Sequence, residues 1–239
     1  MVQEQAQEPY SRAMVVVAHP DDAEFGCSGT AVKWSREGVE VVYVIVTDGS
    51  KGTSDRHMTP ERLVETRNRE QLAAGQILGL KEVVFLGYPD AYLQPTLELR
   101  RDITRQIRKY RPDVLVTTNP VRNLMGAGYL GHPDHMAAGE AALAAVYPSA
   151  RDHLTFPELL QEGLEPHKVR EVLIIGHPSP DLWIDVTDTI DISIRAIRAH
   201  VSQVGGREGL EARMKEGRRQ NGKPAGMEYA ESFKRFVLP

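Results

Sequence analysis

One cysteine, Cys27, is all the thiol chemistry that the 239 residues contain. An internal disulfide is therefore impossible, which fits a reducing compartment. Long apolar stretches are missing as well: runs such as "VEVVYVIV" (Val39 to Val46) fall far short of the roughly 18 residues a membrane span needs. The first residues, "MVQEQAQEPYSRAM", are polar and hold no apolar leader core, so the expectation is a cytoplasmic protein with no membrane span. Positive charge is not in excess either. The 29 basic and 33 acidic residues are interspersed and sum to −4 at pH 7, and without a basic stripe nucleic acid is a poor partner. There is no repeat of domain size and no low-complexity tract, and the length suits one sizeable core, a single domain over 1–239.

What is present is alternation. "MVVVA", "VEVVYVIVTDG", "EVVFLG" and "DVLVTT" are β-branched runs too continuous for strands with one wet face, so they suggest a parallel sheet covered on both sides. Helical stretches lie between them: "GTAVKWSREG", then "TPERLVETRNREQLAAGQILG" with Thr59 as cap and Pro60 at the first helical position, then "LELRRDITRQIRKYRP". A fourth, "HPDHMAAGEAALAAV", follows the fourth strand, and "VREVLIIGH" and "LWIDVT" are further strand candidates. The order predicts an α/β, Rossmann-like fold, a mostly parallel sheet with helices on both faces and a core over about 12–200. "YPSARDHLTFPELLQEGLEPHK" reads as a surface excursion over a cleft, and 205–239 as a charged loop with a short helix and a tail.

The tripeptide His-Pro-Asp occurs twice, in "AHPDD" (Ala18 to Asp22) after the first strand and in "GHPDH" (Gly131 to His135) after the fourth. Ligands of open α/β sheets bind beyond the carboxyl ends of the strands, and strands one and four are ordinarily neighbours at the switch point. Either motif alone is ordinary loop chemistry, with Asp22 or Asp134 as a helix cap. Together they bring His19, Asp22, His132 and His135 to one place with Asp21 alongside. That set suits a zinc ion, which takes three His, Asp, Glu or Cys ligands and leaves a fourth position for water.

"AHPDDAEFGCSGT" and "GHPDH", with "VTDG", "ETRNRE", "LGYPD" and "DLWIDVT" in order between and after them, resemble the PIG-L / LmbE-like family of zinc-dependent N-acetylglucosaminyl deacetylases. The resemblance implies a hydrolase that removes an N-acyl group, most simply N-acetyl, from an amino sugar or its conjugate. It assigns Zn2+ to His19, Asp22 and His135, with Fe2+ or Co2+ able to take the same donors. Asp21 matches the general base. His132 matches the histidine that stabilises the oxyanion and protonates the leaving group, although whether Asp21 or His132 delivers that proton stays open. The resemblance also sets Arg67 and Glu70 against the sugar, where an ion pair on one helix face is the plain alternative. Asp90 of "YPD" is implied to contact substrate hydroxyls or to orient a catalytic histidine, beside its ordinary use in a turn. Tyr129, three residues before His132, stands near the place where some relatives carry a tyrosine that binds the oxyanion.

Asp48 and Gly49 are read as strand-end structure, Cys27 as a packing residue, and His57, His153, His167, His177 and His200 as surface or loop histidines. The expected partner is a small N-acetylated sugar or conjugate, with a homo-oligomer left open. Rival readings are an amidase acting on a thiol-sugar conjugate or another N-acyl substrate, a non-catalytic metal or sugar-binding module, and a metal-dependent phosphoesterase, which more often brings a second metal and more acidic ligands.

Overall fold

The computed structural model of the chain describes residues 8–124 and 130–239. Strand β1 (Arg12–Val17) leads straight into the first His-Pro-Asp segment. Helices α1 (Asp22–Gly26) and α2 (Ser28–Arg36) follow, then β2 (Glu40–Thr47), α3 (Pro60–Leu78), β3 (Glu82–Tyr88), α4 (Leu97–Tyr110) and β4 (Val114–Thr118). The second motif opens α5 (Pro133–Ala144), after which come α6 (Glu158–Gln161), β5 (Glu171–Ile175), β6 (Leu182–Asp185), α7 (Ile190–Arg198), α8 (Val201–Val204), α9 (Leu210–Gly222) and β7 (Ala230–Val237).

The strands form one sheet in the order β3-β2-β1-β4-β5-β7-β6. It is parallel from β3 to β5 and antiparallel where β7 pairs with β5 and β6. This is the Rossmann-like, mostly parallel α/β fold expected from the sequence. Met14, Val16, Val42 and Val44 pack on one face with Leu99, Ile103, Ile107 and Ala138 of α4 and α5. Their neighbours Ala13, Val15, Val17, Tyr43 and Ile45 pack on the other with Val32, Trp34, Ala74, Leu78 and Ala196 of α2, α3 and α7. Two-sided burial is why these strands are continuous apolar runs rather than alternating ones. Helix α3 starts where its cap predicts: the Thr59 side chain accepts from the Arg62 N–H at 3.3 Å, with Pro60 in the first turn.

Two stretches differ from expectation. The segment after α5 does not cover a cleft at the carboxyl edge of the sheet. Helix α5 runs back from that edge, so the chain emerges at the opposite one. There Arg108 donates to the carbonyls of Ser149, Ala150, Asp152 and Thr155, and His167 Nε2 lies 2.7 Å from the carbonyl of Pro112, just before β4. In residues 205–239 the expected helix is α9, but the expected tail is a sheet strand, β7. Strand β7 lies between β5 and β6, and its Glu231 is fully buried. The Glu231 carboxylate accepts from the N–H groups of Gly29 (3.0 Å) and Thr30 (2.8 Å) at the start of α2, and from Arg218 (3.0 Å). No helix among the described residues is long and apolar enough to cross a membrane.

Candidate metal centre

The switch point falls between β1 and β4, so the segments leaving these strands meet beyond the carboxyl edge. Close packing of α5 on the end of β4 sets the second motif. A Cβ on Gly139 would stand 2.3 Å from the Thr118 carbonyl oxygen, and Thr118 Oγ1 donates to the His135 carbonyl at 2.6 Å. Only glycine permits that approach.

The first motif is a tight turn. The Asp22 N–H donates to the His19 carbonyl at 3.3 Å, Pro20 is the second residue, and Asp21 has φ 97° and ψ −24°. These features are those of a type II turn, whose third place ordinarily takes glycine. The Asp22 carboxylate folds back on the His19 N–H at 2.8 Å. In the second motif His132 caps α5, Pro133 is the first helical residue and His135 lies one turn in.

Three donor groups converge. His19 Nδ1 stands 3.2 Å from His135 Nε2 and 3.3 Å from Asp22 Oδ2, and His135 Nε2 stands 3.0 Å from Asp22 Oδ1. Ligand atoms on a tetrahedral ion with bonds of about 2.0–2.1 Å lie about 3.3–3.4 Å apart, and the three contacts of this triangle of side chains, which use both Asp22 oxygens, are close to that length. Its chemistry agrees: one proton satisfies a single pair among two facing ring nitrogens and a carboxylate, whereas a divalent cation satisfies all three. His132 joins the histidine group, its ring set edge-on to His19 with centroids 4.7 Å apart.

A second layer orients the first. His19 Nε2 lies 3.1 Å from Asp90 Oδ1 and 3.2 Å from Asp134 Oδ2, so its N–H faces carboxylates and Nδ1 is left to face the triangle. Asp134 is fully buried and also accepts from the N–H groups of Ala91 (2.7 Å) and Leu93 (3.3 Å). Asp90 accepts from the Lys51 N–H at 3.0 Å, and Asp48 accepts from Ser50 and Asp90 N–H groups, the turn role expected of it. His132 Nδ1 accepts from the Asp134 N–H at 3.2 Å, which puts the proton of a neutral ring on Nε2.

Charge follows this layout. Burial opposes protonation of His19, but hydrogen bonds to Asp22 and Asp90 outweigh it and raise the ring to about 10. Burial works against ionised Asp22 too, yet His135 and His19 hold it well below the usual carboxylate range. Asp21 is pushed up to about 7 by burial and by the Asp22 charge, with Arg67 pulling the other way. His132 is lowered by burial and then by His19.

The residues expected from the sequence divide accordingly. His19, Asp21, Asp22, His132, His135 and Asp90 come together. Arg67 comes to the same place but is 4% exposed, with its guanidinium on the carbonyls of Pro20 (2.8 Å), Gly49 (3.2 Å) and Lys51 (3.2 Å) and 3.7–3.8 Å from Asp90 and Asp21. Glu70 pairs elsewhere, accepting from the Ser202 N–H (2.7 Å) and hydroxyl (2.6 Å) at the start of α8. Tyr129 lies outside the described residues. Asp134 is read from the sequence only as a helix cap and Gln71 not at all, although the one stands inside a quoted motif and the other four residues after Arg67 on the same helix face. His200, expected at the surface, is fully buried, with Nε2 3.5 Å from Glu24 Oε2; nothing in its local sequence signals this. Beside the triangle a cleft of about 320 Å³ is lined by Thr118, Asn119, Arg122, His132, His135 and Met136 among others.

Known proteins resemble this chain in sequence and in fold. The family model PIG-L, GlcNAc-PI de-N-acetylase, matches residues 14–146. The chain is 33% identical over 199 residues to the diacetylchitobiose deacetylase of Thermococcus kodakarensis, covering 82% of this chain and 72% of that one. It is 27% identical over 254 residues to the 1D-myo-inositol 2-acetamido-2-deoxy-alpha-D-glucopyranoside deacetylase of Kineococcus radiotolerans, covering 81% and 69%. Among solved structures, the N,N'-diacetylchitobiose deacetylase of Pyrococcus horikoshii, complexed with its inhibitor MPG, superimposes with a TM-score of 0.87 at 29% identity, covering 95% of this chain and 84% of that one.

Proposed function

Because the chain belongs to the PIG-L family of GlcNAc-PI de-N-acetylases, we propose that it hydrolyses the N-acetyl group of an amino sugar or amino-sugar conjugate. Zinc is the proposed ion, held by His19, Asp22 and His135, and iron(II) or cobalt(II) suit the same donors. The observation that carries the reading is the convergence of His19, His135 and Asp22 at 3.0–3.3 Å, with a second carboxylate, Asp21, next to Asp22 in the chain and 3.8 Å from Arg67.

An ion bound there supplies two things an amide needs, polarisation of the carbonyl and a water whose pKa is brought down to about 7. Asp21 is the base that accepts the proton of the attacking water, a role suited to a carboxylate beside the ligands and not needed to hold the ion. His132, with its Nε2 proton, donates to the substrate oxygen as negative charge develops there. Either group then returns a proton to the amine nitrogen as the C–N bond breaks. Asp90 and Asp134 hold the His19 ring in register. Arg67 is so fully engaged by backbone carbonyls that its part is to shape the floor of the site, and contact with sugar hydroxyls falls to the cleft residues Asn119 and Arg122. A free, buried Cys27 fits the cytoplasm as the compartment.

Incubation with N,N'-diacetylchitobiose and zinc is expected to release equal amounts of acetate and free amine, and excess chelator should abolish both. Stoichiometric bound metal with no amine release from any N-acetylated sugar would overturn the reading. Phosphate release from a phosphomonoester would replace it with phosphoester hydrolysis.

A further inference from the structure

Asp21 occupies a backbone region that non-glycine residues seldom visit, and in a type II turn one peptide unit decides whether it can. That unit joins Pro20 to Asp21. Turned one way it gives a type II turn and positive φ at Asp21; flipped over, it gives type I, negative φ, and a different direction for the Asp21 side chain. Helix α3 holds both ends of this peptide. Arg67 donates to its carbonyl, Pro20 O, at 2.8 Å, and Gln71, one helical turn on, accepts from its N–H at 3.1 Å.

The grip at Gln71 is directional. Gln71 is fully buried, and its Nε2 donates to Glu24 Oε1 at 2.8 Å. A backbone N–H only donates, so the amide oxygen must face Asp21 and the amide nitrogen is left to face Glu24. Glu24 is itself fully buried, with its other oxygen 3.5 Å from buried His200 at the α7–α8 corner. A bare packing role requires none of this polarity, because an apolar side chain of the same volume would fill the space.

We propose that Gln71, together with Arg67, is a positioning residue that locks the Pro20–Asp21 peptide in its type II orientation and thereby aims the Asp21 carboxylate at the bound water. The proposal rests on the reading of Asp21 as the base. Its consequence is that Gln71 acts on the reaction only through Asp21.

The test pairs Gln71→Met with Asp21→Asn. Gln71→Met alone is expected to lower kcat by roughly 10–100-fold, the usual result of misplacing a reacting group by about 1 Å, with KM and bound metal unchanged. Added to Asp21→Asn it should lower kcat no further, since the residue it positions is already disabled. In the chelator-treated protein, where activity plays no part, the Asp21 amide should exchange with solvent markedly faster in Gln71→Met than in wild type. Multiplying effects of the two substitutions, or a silent Gln71→Met beside an impaired Asp21→Asn, would overturn the proposal. Wild-type turnover by Asp21→Asn would instead remove the base assignment beneath it. Should Gln71→Met not fold, the wild-type protein decides: a scalar coupling across the hydrogen bond from the Asp21 amide nitrogen to the Gln71 side-chain carbonyl carbon is expected, and a freely exchanging Asp21 amide without it refutes the lock.

Discussion

In the first His-Pro-Asp segment the proline is the second residue of a turn, and in the second it is the first residue of a helix. That one difference redirects each aspartate. Asp21 adopts positive φ and stands beside the triangle of donor atoms, 14% exposed at its side chain; Asp134, within the first turn of α5, points inward, accepts two backbone N–H groups and steadies His19. The residue just after each tripeptide, Asp22 or His135, supplies a triangle atom in both copies, while the leading histidine does so only in the first. A motif names residue types; the turn that carries it decides where each of them points.

The largest effect should separate the two histidines of the second copy. His135→Ala is expected to abolish stoichiometric metal binding and lower activity at least as far as loss of the whole centre does, whereas His132→Ala should keep the metal and lose roughly 10²–10³ in kcat. Metal analysis beside kinetics on both variants checks this, and equal metal loss would erase the distinction between first and fourth places.

Next come the two aspartates at the third place. Asp21→Asn should cost roughly 10²–10⁴ in kcat with metal affinity unchanged. Asp134→Asn should do the reverse, weakening metal binding roughly 10–100-fold through the freed His19 ring while saturating metal restores most of kcat. Competition with a chromogenic chelator measures the one and kinetics at saturating metal the other.

The smallest effects are on stability and oppose activity. In the metal-free protein Asp21→Gly should raise stability by about 1 kcal/mol, because glycine meets no penalty at positive φ and buries no charge, although catalysis is lost. Pro133→Ala, at a helix position where proline is merely favoured, should change stability by only about 0.5 kcal/mol. Urea unfolding of the two variants settles their order.

The sheet was legible because burial on both faces writes itself into the sequence as unbroken apolar runs, and the convergence of His19, Asp22, His132 and His135 because two copies of one tripeptide had to lie at adjacent strand ends. Strand β7 was not. "AESFKRFV" mixes charged and apolar residues without a regular period, and its charges are partnered by distant groups, Glu171 for Arg235 and Asp181 for Lys234, that no local pattern announces. The buried supports of the site were hidden for the same reason. Arg67 and Glu70 look equivalent on one helix face, yet one turns to the Pro20 carbonyl and the other to Ser202. His200 lacks any neighbour in sequence that would mark it as buried; only the fold sets it against Glu24.

Strand β7 also sets an order of events during synthesis. Among the described residues β6 has no sheet neighbour but β7, and two N-terminal N–H groups of α2 find their acceptor only in Glu231, some two hundred positions downstream. A nascent chain can therefore assemble β1 to β5 as they leave the ribosome, but it must carry an unpaired strand and an uncapped helix until β7 emerges. Ribosome stalling or proteolysis in that interval would strike the molecule at its most exposed edge, on the far side of the sheet order from β3.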